Sequence, residues 1–145
     1  MVVRDLYDRD FFEWTRSNAA LLRARRFDQV DVEHLAEEIE DMGKSERREL
    51  FSRLRVLLLH LLKWQVQPER RGPSWKGTIR AQRVEIRSLL RDAPSLRRSL
   101  AESLPELYGD AASGAADETD LPRSSFPVNC PFRLDQILDE EFFPG

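Results

Sequence analysis

Leu50-Phe51-Ser52-Arg53-Leu54-Arg55-Val56-Leu57-Leu58-Leu59-His60-Leu61-Leu62-Lys63-Trp64-Gln65 is the most informative stretch of this chain. Leu50, Leu54, Leu57, Leu61 and Trp64 recur at i, i+4, i+7, i+11 and i+14, which is one face of an α-helix. Leu58 and Leu62 widen that face, so this segment is expected to be buried on most sides. No stretch of the chain alternates with period two for long enough to predict a sheet.

Working toward the N-terminus, the same helical pattern reaches back to Asp31, a predicted N-cap, through Leu35, Ile39 and Met42. Gly43 interrupts it and Ser45 follows. Glycine costs about 1 kcal/mol relative to alanine inside a helix, so two segments or one kinked helix are expected here. Before it, a first helix is predicted from about Asp8, as N-cap, to about Arg25. Phe11, Trp14, Leu21 and Leu22 form its apolar face. Asn18 falls on that face and needs a hydrogen-bond partner there, unless it marks where the face meets water.

Working toward the C-terminus, Gln67–Pro73 reads as a turn. Ser74 is the expected cap of a helix running to about Asp92. Ala93-Pro94-Ser95 breaks it, and Leu96, Leu100, Leu104, Leu107 and Tyr108 restore a helical period, with Pro105 as a kink or restart point. The pattern fades from Gly109 to Asp120. The tail, residues 121–145, carries Pro122, Pro127, Pro131 and Pro144, which forbid a long helix. Phe126, Phe132, Phe142 and Phe143 anchor it, since leaving such side chains exposed forfeits roughly 1.5–3 kcal/mol each. The fold expected is all-α: an irregular bundle of about four to five helices with a proline-rich, aromatic tail packed on it. One domain is expected over residues 1–145, with a helical core at 1–120 and an irregular tail at 121–145.

The bulk numbers agree with such a fold. The 145 residues are 41% hydrophobic and 34% charged, ample for one core with salt-bridged outer faces. A net charge of −3 and a pI near 5.5 give no global attraction to nucleic acid or acidic membranes. One cysteine, Cys130, excludes an intrachain disulfide. Met1-Val2-Val3-Arg4-Asp5 lacks the pattern of a signal peptide, and Val56–Leu62 is too short to span a bilayer, so a cytoplasmic location is expected.

Several pieces of the chain together carry a resemblance. They are Leu6-Tyr7-Asp8 with Asp10-Phe11 and Trp14, then Leu35-Ala36-Glu37-Glu38-Ile39-Glu40, then Ser45–Leu50 and Leu57–Gln65. Pro68-Glu69, Ser74-Trp75, Arg80, Cys130-Pro131-Phe132 and Leu138-Asp139 complete the set. Read together, the chain resembles the bacterial domain-of-unknown-function family numbered twenty-nine over nearly its whole length. That resemblance implies an all-helical bacterial domain and brings no activity, substrate or catalytic residues with it.

Four constellations could carry chemistry. Glu33, Glu37, Glu40 and Asp41 gather on one face, with His34 and Glu38 as an i, i+4 pair beside them. The spacing suits a shared metal or proton, although the plainer reading is a solvated acidic face. His60 sits among leucines, where a histidine usually satisfies one hydrogen bond; with His34, Glu37 and Glu38 it makes a metal-dependent enzyme one alternative. The most organised feature is basic: Lys76, Arg80, Arg83, Arg87 and Arg91 align in one sector, with Arg70, Arg71 and Trp75 nearby. Guanidinium forks bind phosphate and tryptophan stacks on bases, so a nucleic-acid or acidic-partner face is a second alternative. The plainer reading pairs this stripe with the acidic one inside the molecule. Cys130 reads as a structural thiol.

No glycine-rich phosphate loop, CxxC pair or nucleophile elbow is present. The leading expectation is therefore a non-enzymatic protein-interaction or regulatory module. It needs no cofactor and has no membrane association. It acts through an unknown protein partner or self-association, with nucleic acid as the alternative partner.

Overall fold

The computed structural model of the chain describes residues 2–145 and is all-α. Its helices are α1 (Val3–Arg9), α2 (Phe11–Arg23), α3 (Val32–Val66), α4 (Pro73–Asp92), α5 (Leu96–Thr119) and the short α6 (Leu134–Leu138). Single 3-10 turns occupy Pro68–Arg70 and Arg123–Ser125. Among the described residues there is no strand. The chain divides into two compact units, Met1–Ser45 and Glu46–Gly145.

The first unit begins differently from its sequence reading. Asp8 lies inside α1, and the break comes at Asp10. Its carboxylate accepts the Glu13 backbone N–H at 3.0 Å, satisfying one of the orphan amides of α2. Helix α2 ends through Ala24 and a left-handed Arg25, whose φ is 58°. The core of this unit is small: Val3, Trp14, Asn18 and Asp31 are buried. Asn18 does find partners. It donates to the Trp14 carbonyl and accepts the Asp31 backbone N–H, both at 3.0 Å.

Helix α3 does not stop at Gly43, and Ser45 caps nothing. The helix runs unbroken for 35 residues from the first unit into the second. A Cβ at Gly43 would meet nothing within 4 Å, so no packing demands the glycine. The break in the apolar pattern marks the boundary between units instead. All of residues 39–49 are exposed, and Leu50 is fully buried.

In the second unit Leu50, Leu54, Leu57, Leu58, Leu61 and Leu62 form the centre of the core. Ile79 and Ile86 of α4 and Leu100, Leu107 and Tyr108 of α5 join it. Pro73 at the first turn starts α4, with Gly72 rather than Ser74 as N-cap. Pro105 neither restarts nor ends α5, which continues to Thr119 and closes on a left-handed Asp120. The stretch where the apolar pattern fades presents Ala111, Ala112, Ala115 and Ala116 to the core. Gly114 belongs to the same close contact, for a Cβ there would stand 2.9 Å from Leu59 Cδ1.

The tail covers this core. Phe126 and Phe132 are buried, and Phe142 and Phe143 are half-buried against it. The Tyr108 hydroxyl donates to the Pro127 carbonyl at 2.6 Å. Phe143 packs at 4.9 Å from the Trp64 ring.

Candidate functional site

The centre of the basic sector of α4, Arg83 and Arg87, is held by the tail. Ile79, Ile86 and Leu90 are buried, and Arg83 lies among them on the same face with 1% exposure. Its guanidinium donates from Nε to the Ile137 carbonyl at 2.8 Å and from Nη2 to the Phe142 carbonyl at 2.7 Å. A longer contact from Nη1 reaches the Glu140 carbonyl at 3.5 Å. Burial pushes the Arg83 guanidinium down from its usual value, and Asp139 and Glu140 counter that shift. Arg87 pairs with the Glu140 carboxylate at 3.3 Å. Arg71 donates to the carbonyls of Trp64 and Pro144.

Arg83 is therefore closed to a phosphate, and within the stripe Arg83 and Arg87 take the tail as their partner. Trp75 is half-buried, with the Lys63 ammonium 4.8 Å over its ring and the Glu118 carboxylate on the same ammonium at 3.2 Å. Arg70, Lys76, Arg80 and Arg91 remain exposed.

The four side chains of the metal alternative do not assemble. His60 Nδ1 donates to the Val56 carbonyl one turn earlier at 2.9 Å, which satisfies it within its own helix. Glu37 is exposed. Among the described residues no group of three or more His, Cys, Asp or Glu side chains is placed to hold a metal ion. Cys130 is half-buried and donates to the Phe132 carbonyl, and burial pushes its thiol up, away from the reactive thiolate.

His34 and Glu38 instead belong to a polar network that the sequence reading missed. Asp31 is buried, and its Oδ2 accepts from Trp14 Nε1 at 2.9 Å and from His34 Nδ1 at 2.7 Å. Desolvation alone would raise the Asp31 carboxyl, but these donors outweigh it and hold it below the usual carboxylate range. The His34 ring stacks on Tyr7 with centroids 3.8 Å apart. Tyr7 donates its hydroxyl to Glu38 Oε1 at 2.5 Å. That bond, with burial and the charges of Glu38, Glu37 and Asp41, pushes the phenol up to about 12. One signal was available: Trp14 and Asn18 are i, i+4 neighbours on an apolar face, so both need partners inside the unit.

The surface of the first unit is unusual for its apolar content. Val2, Phe11, Phe12, Leu22, Phe27, Val32, Ile39 and Met42 are all exposed there, whereas the second unit exposes only Val84 and Val128 among its large hydrophobics. A groove of about 900 Å³ runs between α1, α2 and the start of α3. Val3, Leu6, Ala20, Leu21 and Val30 line it, together with the charged Arg4, Arg26, Asp28 and Glu33. Ile39 and Met42, expected to extend the buried stripe of α3, lie on the exposed span.

An all-α chain with a leucine-rich core covered by a proline-rich, aromatic tail defines the class by its fold alone. The chain matches the family described as Domain of unknown function DUF29 over residues 6–143 and belongs to that family. No curated protein and no solved structure matches it. No helix is long and apolar enough to cross a membrane among the described residues.

Proposed function

We propose that the protein is a non-enzymatic protein-interaction module of the bacterial cytoplasm, with the first unit as its recognition surface. The observation that carries this reading is the concentration of exposed apolar side chains in that unit, eight of the ten large ones among the described residues. Soluble chains rarely leave such side chains grouped unless something covers them. The groove supplies apolar walls with charges of both signs, which suits an amphipathic segment of a partner protein. The second unit serves as the stable base, with Arg83 and Arg87 of α4 held by the tail.

Ala20 is exposed and lines the groove, so Ala20→Glu fills it with a charge without touching the core. Native lysate passed over the wild-type chain and over this variant tests the reading. A protein retained by the first and lost from the second supports it. No specific partner at either low or physiological salt, or equal retention by both baits, overturns it.

A further inference from the structure

We infer that the exposed edge of α4 binds the phosphate backbone of duplex DNA. The inference goes beyond the protein-interaction reading and concerns the other unit. With Arg83 turned inward, Lys76, Arg80, Arg87 and Arg91 still fall within about 60° of the helix circumference and along about 22 Å of its length. Lys76, Arg80 and Arg91 are exposed, and among the described residues none of the three is ion-paired with a carboxylate. The acidic residues of α4 itself, Glu85 and Asp92, sit about 100° or more away around the helix. One tail carboxylate, Glu140, reaches the stripe and takes up Arg87 at 3.3 Å. The chain's surplus of acid lies in the first unit, which has eleven acidic and seven basic residues, while the second has fifteen and sixteen.

What stands beside the cations selects the ligand. Gly77, Ala81 and Val84 continue the exposed face, and a Cβ at Gly77 would meet nothing within 4 Å, so a bulky backbone can come close. None of these three side chains can hydrogen-bond a base edge or a ribose 2′-hydroxyl, which leaves phosphate contacts without sequence preference and nothing that selects RNA. Val84 is the one large apolar side chain exposed on α4, too little for the core of a protein interface. Unpaired bases need aromatic rings to stack on. Every aromatic side chain of the second unit is buried or half-buried, and the Trp75 ring already carries the Lys63 ammonium at 4.8 Å. A duplex presents its phosphates outward and asks only for cations. A line of three unpaired cations without a stacking ring therefore fits a duplex better than a single strand.

Fluorescence anisotropy of the full chain with a labelled DNA duplex of random sequence tests this. Three phosphate contacts predict a slope of log affinity against log salt of about −2.7, a loss of about fortyfold between about 50 and 200 mM salt. Arg80→Gln with Arg91→Gln, both at exposed positions, is expected to bring the slope to about −0.9 and to weaken binding at least about tenfold at the lower salt, with unchanged helical circular dichroism. Glu140→Gln frees Arg87 and keeps the Glu140 carbonyl on Arg83, so binding is expected to tighten and the slope to steepen to about −3.6. Arg16→Gln with Arg23→Gln makes the same change of net charge on exposed residues of the first unit and is expected to alter neither affinity nor slope. A wild type that shows no saturable binding at low salt up to hundreds of micromolar overturns the inference. Equal weakening by the two double variants also overturns it, as does tighter binding to a single strand of the same length. Equal affinity for poly-glutamate overturns it in favour of an acidic protein. None of these outcomes bears on the groove of the first unit, which Ala20→Glu tests separately.

Discussion

Replacing Arg83 with methionine keeps the stem that packs between Ile79 and Ile86 and removes the fork that holds the tail. Two short bonds from a charged donor are lost, at about 1.5–3 kcal/mol each, or about 3–6 kcal/mol together. Relief of the desolvated guanidinium offsets part of this, since burial already disfavours its charged form. The net cost expected for the second unit is about 2–4 kcal/mol. For a unit of this size that lowers the melting temperature by on the order of 10–20 °C. Urea unfolding followed by tryptophan fluorescence reads the effect directly, because Trp64 packs on Phe143 of the tail. Limited trypsin digestion at Arg133 reads tail release independently. Arg83→Lys should lose nearly as much, since one ammonium cannot replace a fork spread over separated carbonyls. An Arg83→Met chain within about 0.5 kcal/mol of wild type, its tail still protected, would refute the clamp.

Tyr7 is held up to about 12 by the Glu38 bond and Tyr108 is raised by burial, so absorbance at 295 nm should show no phenolate step near pH 10 in the folded chain. Both phenols favour their protonated forms, so their contributions are complete below about pH 10 and vanish as pH rises above it. A tyrosine step at pH 10 with circular dichroism unchanged would contradict this. Asp31 has the opposite sign: its depressed carboxyl stabilises the first unit above about pH 4 and ceases to do so as pH falls further. Trp14→Phe removes one of its donors and should cost that unit about 1–3 kcal/mol, while leaving unfolding of the second unit unmoved. Gly114→Val should destabilise the second unit by about 1–3 kcal/mol, measured by thermal melting, because its side chain must displace Leu59.

The helical class and the leucine core were legible because a 3.6-residue period over Leu50–Trp64 admits one interpretation. The alanine face of α5 was not, since close packing of small residues erases the large-residue pattern that periodicity detects. Arg83 is read from the sequence as part of a basic stripe beside the apolar face, and the fold buries it within that face. Its spacing from Ile79, Ile86 and Leu90 put it in the middle of the apolar face, but its charge argued the other way. What decided the matter was a set of backbone carbonyls more than fifty residues later, which no local pattern encodes. Ile39 and Met42 failed in the opposite sense. Their period matches a buried helix, and the exposed span shows that a period reveals a face without revealing what covers it. The candidate surface was therefore readable only as residues, and its exposure came from the fold.

The Arg83 clamp also bears on how the protein is made. Its acceptors, the carbonyls of Ile137 and Phe142, leave the ribosome about fifty residues after Arg83 itself. At about 5–20 residues per second that interval lasts about 3–11 s. Throughout it, α4 carries an unsatisfied cation on the face it must bury, so docking α4 onto the leucine helix is disfavoured. A transcript cut short before position 137 would yield a chain that never escapes this condition, and proteolysis rather than loss of binding would be its fate.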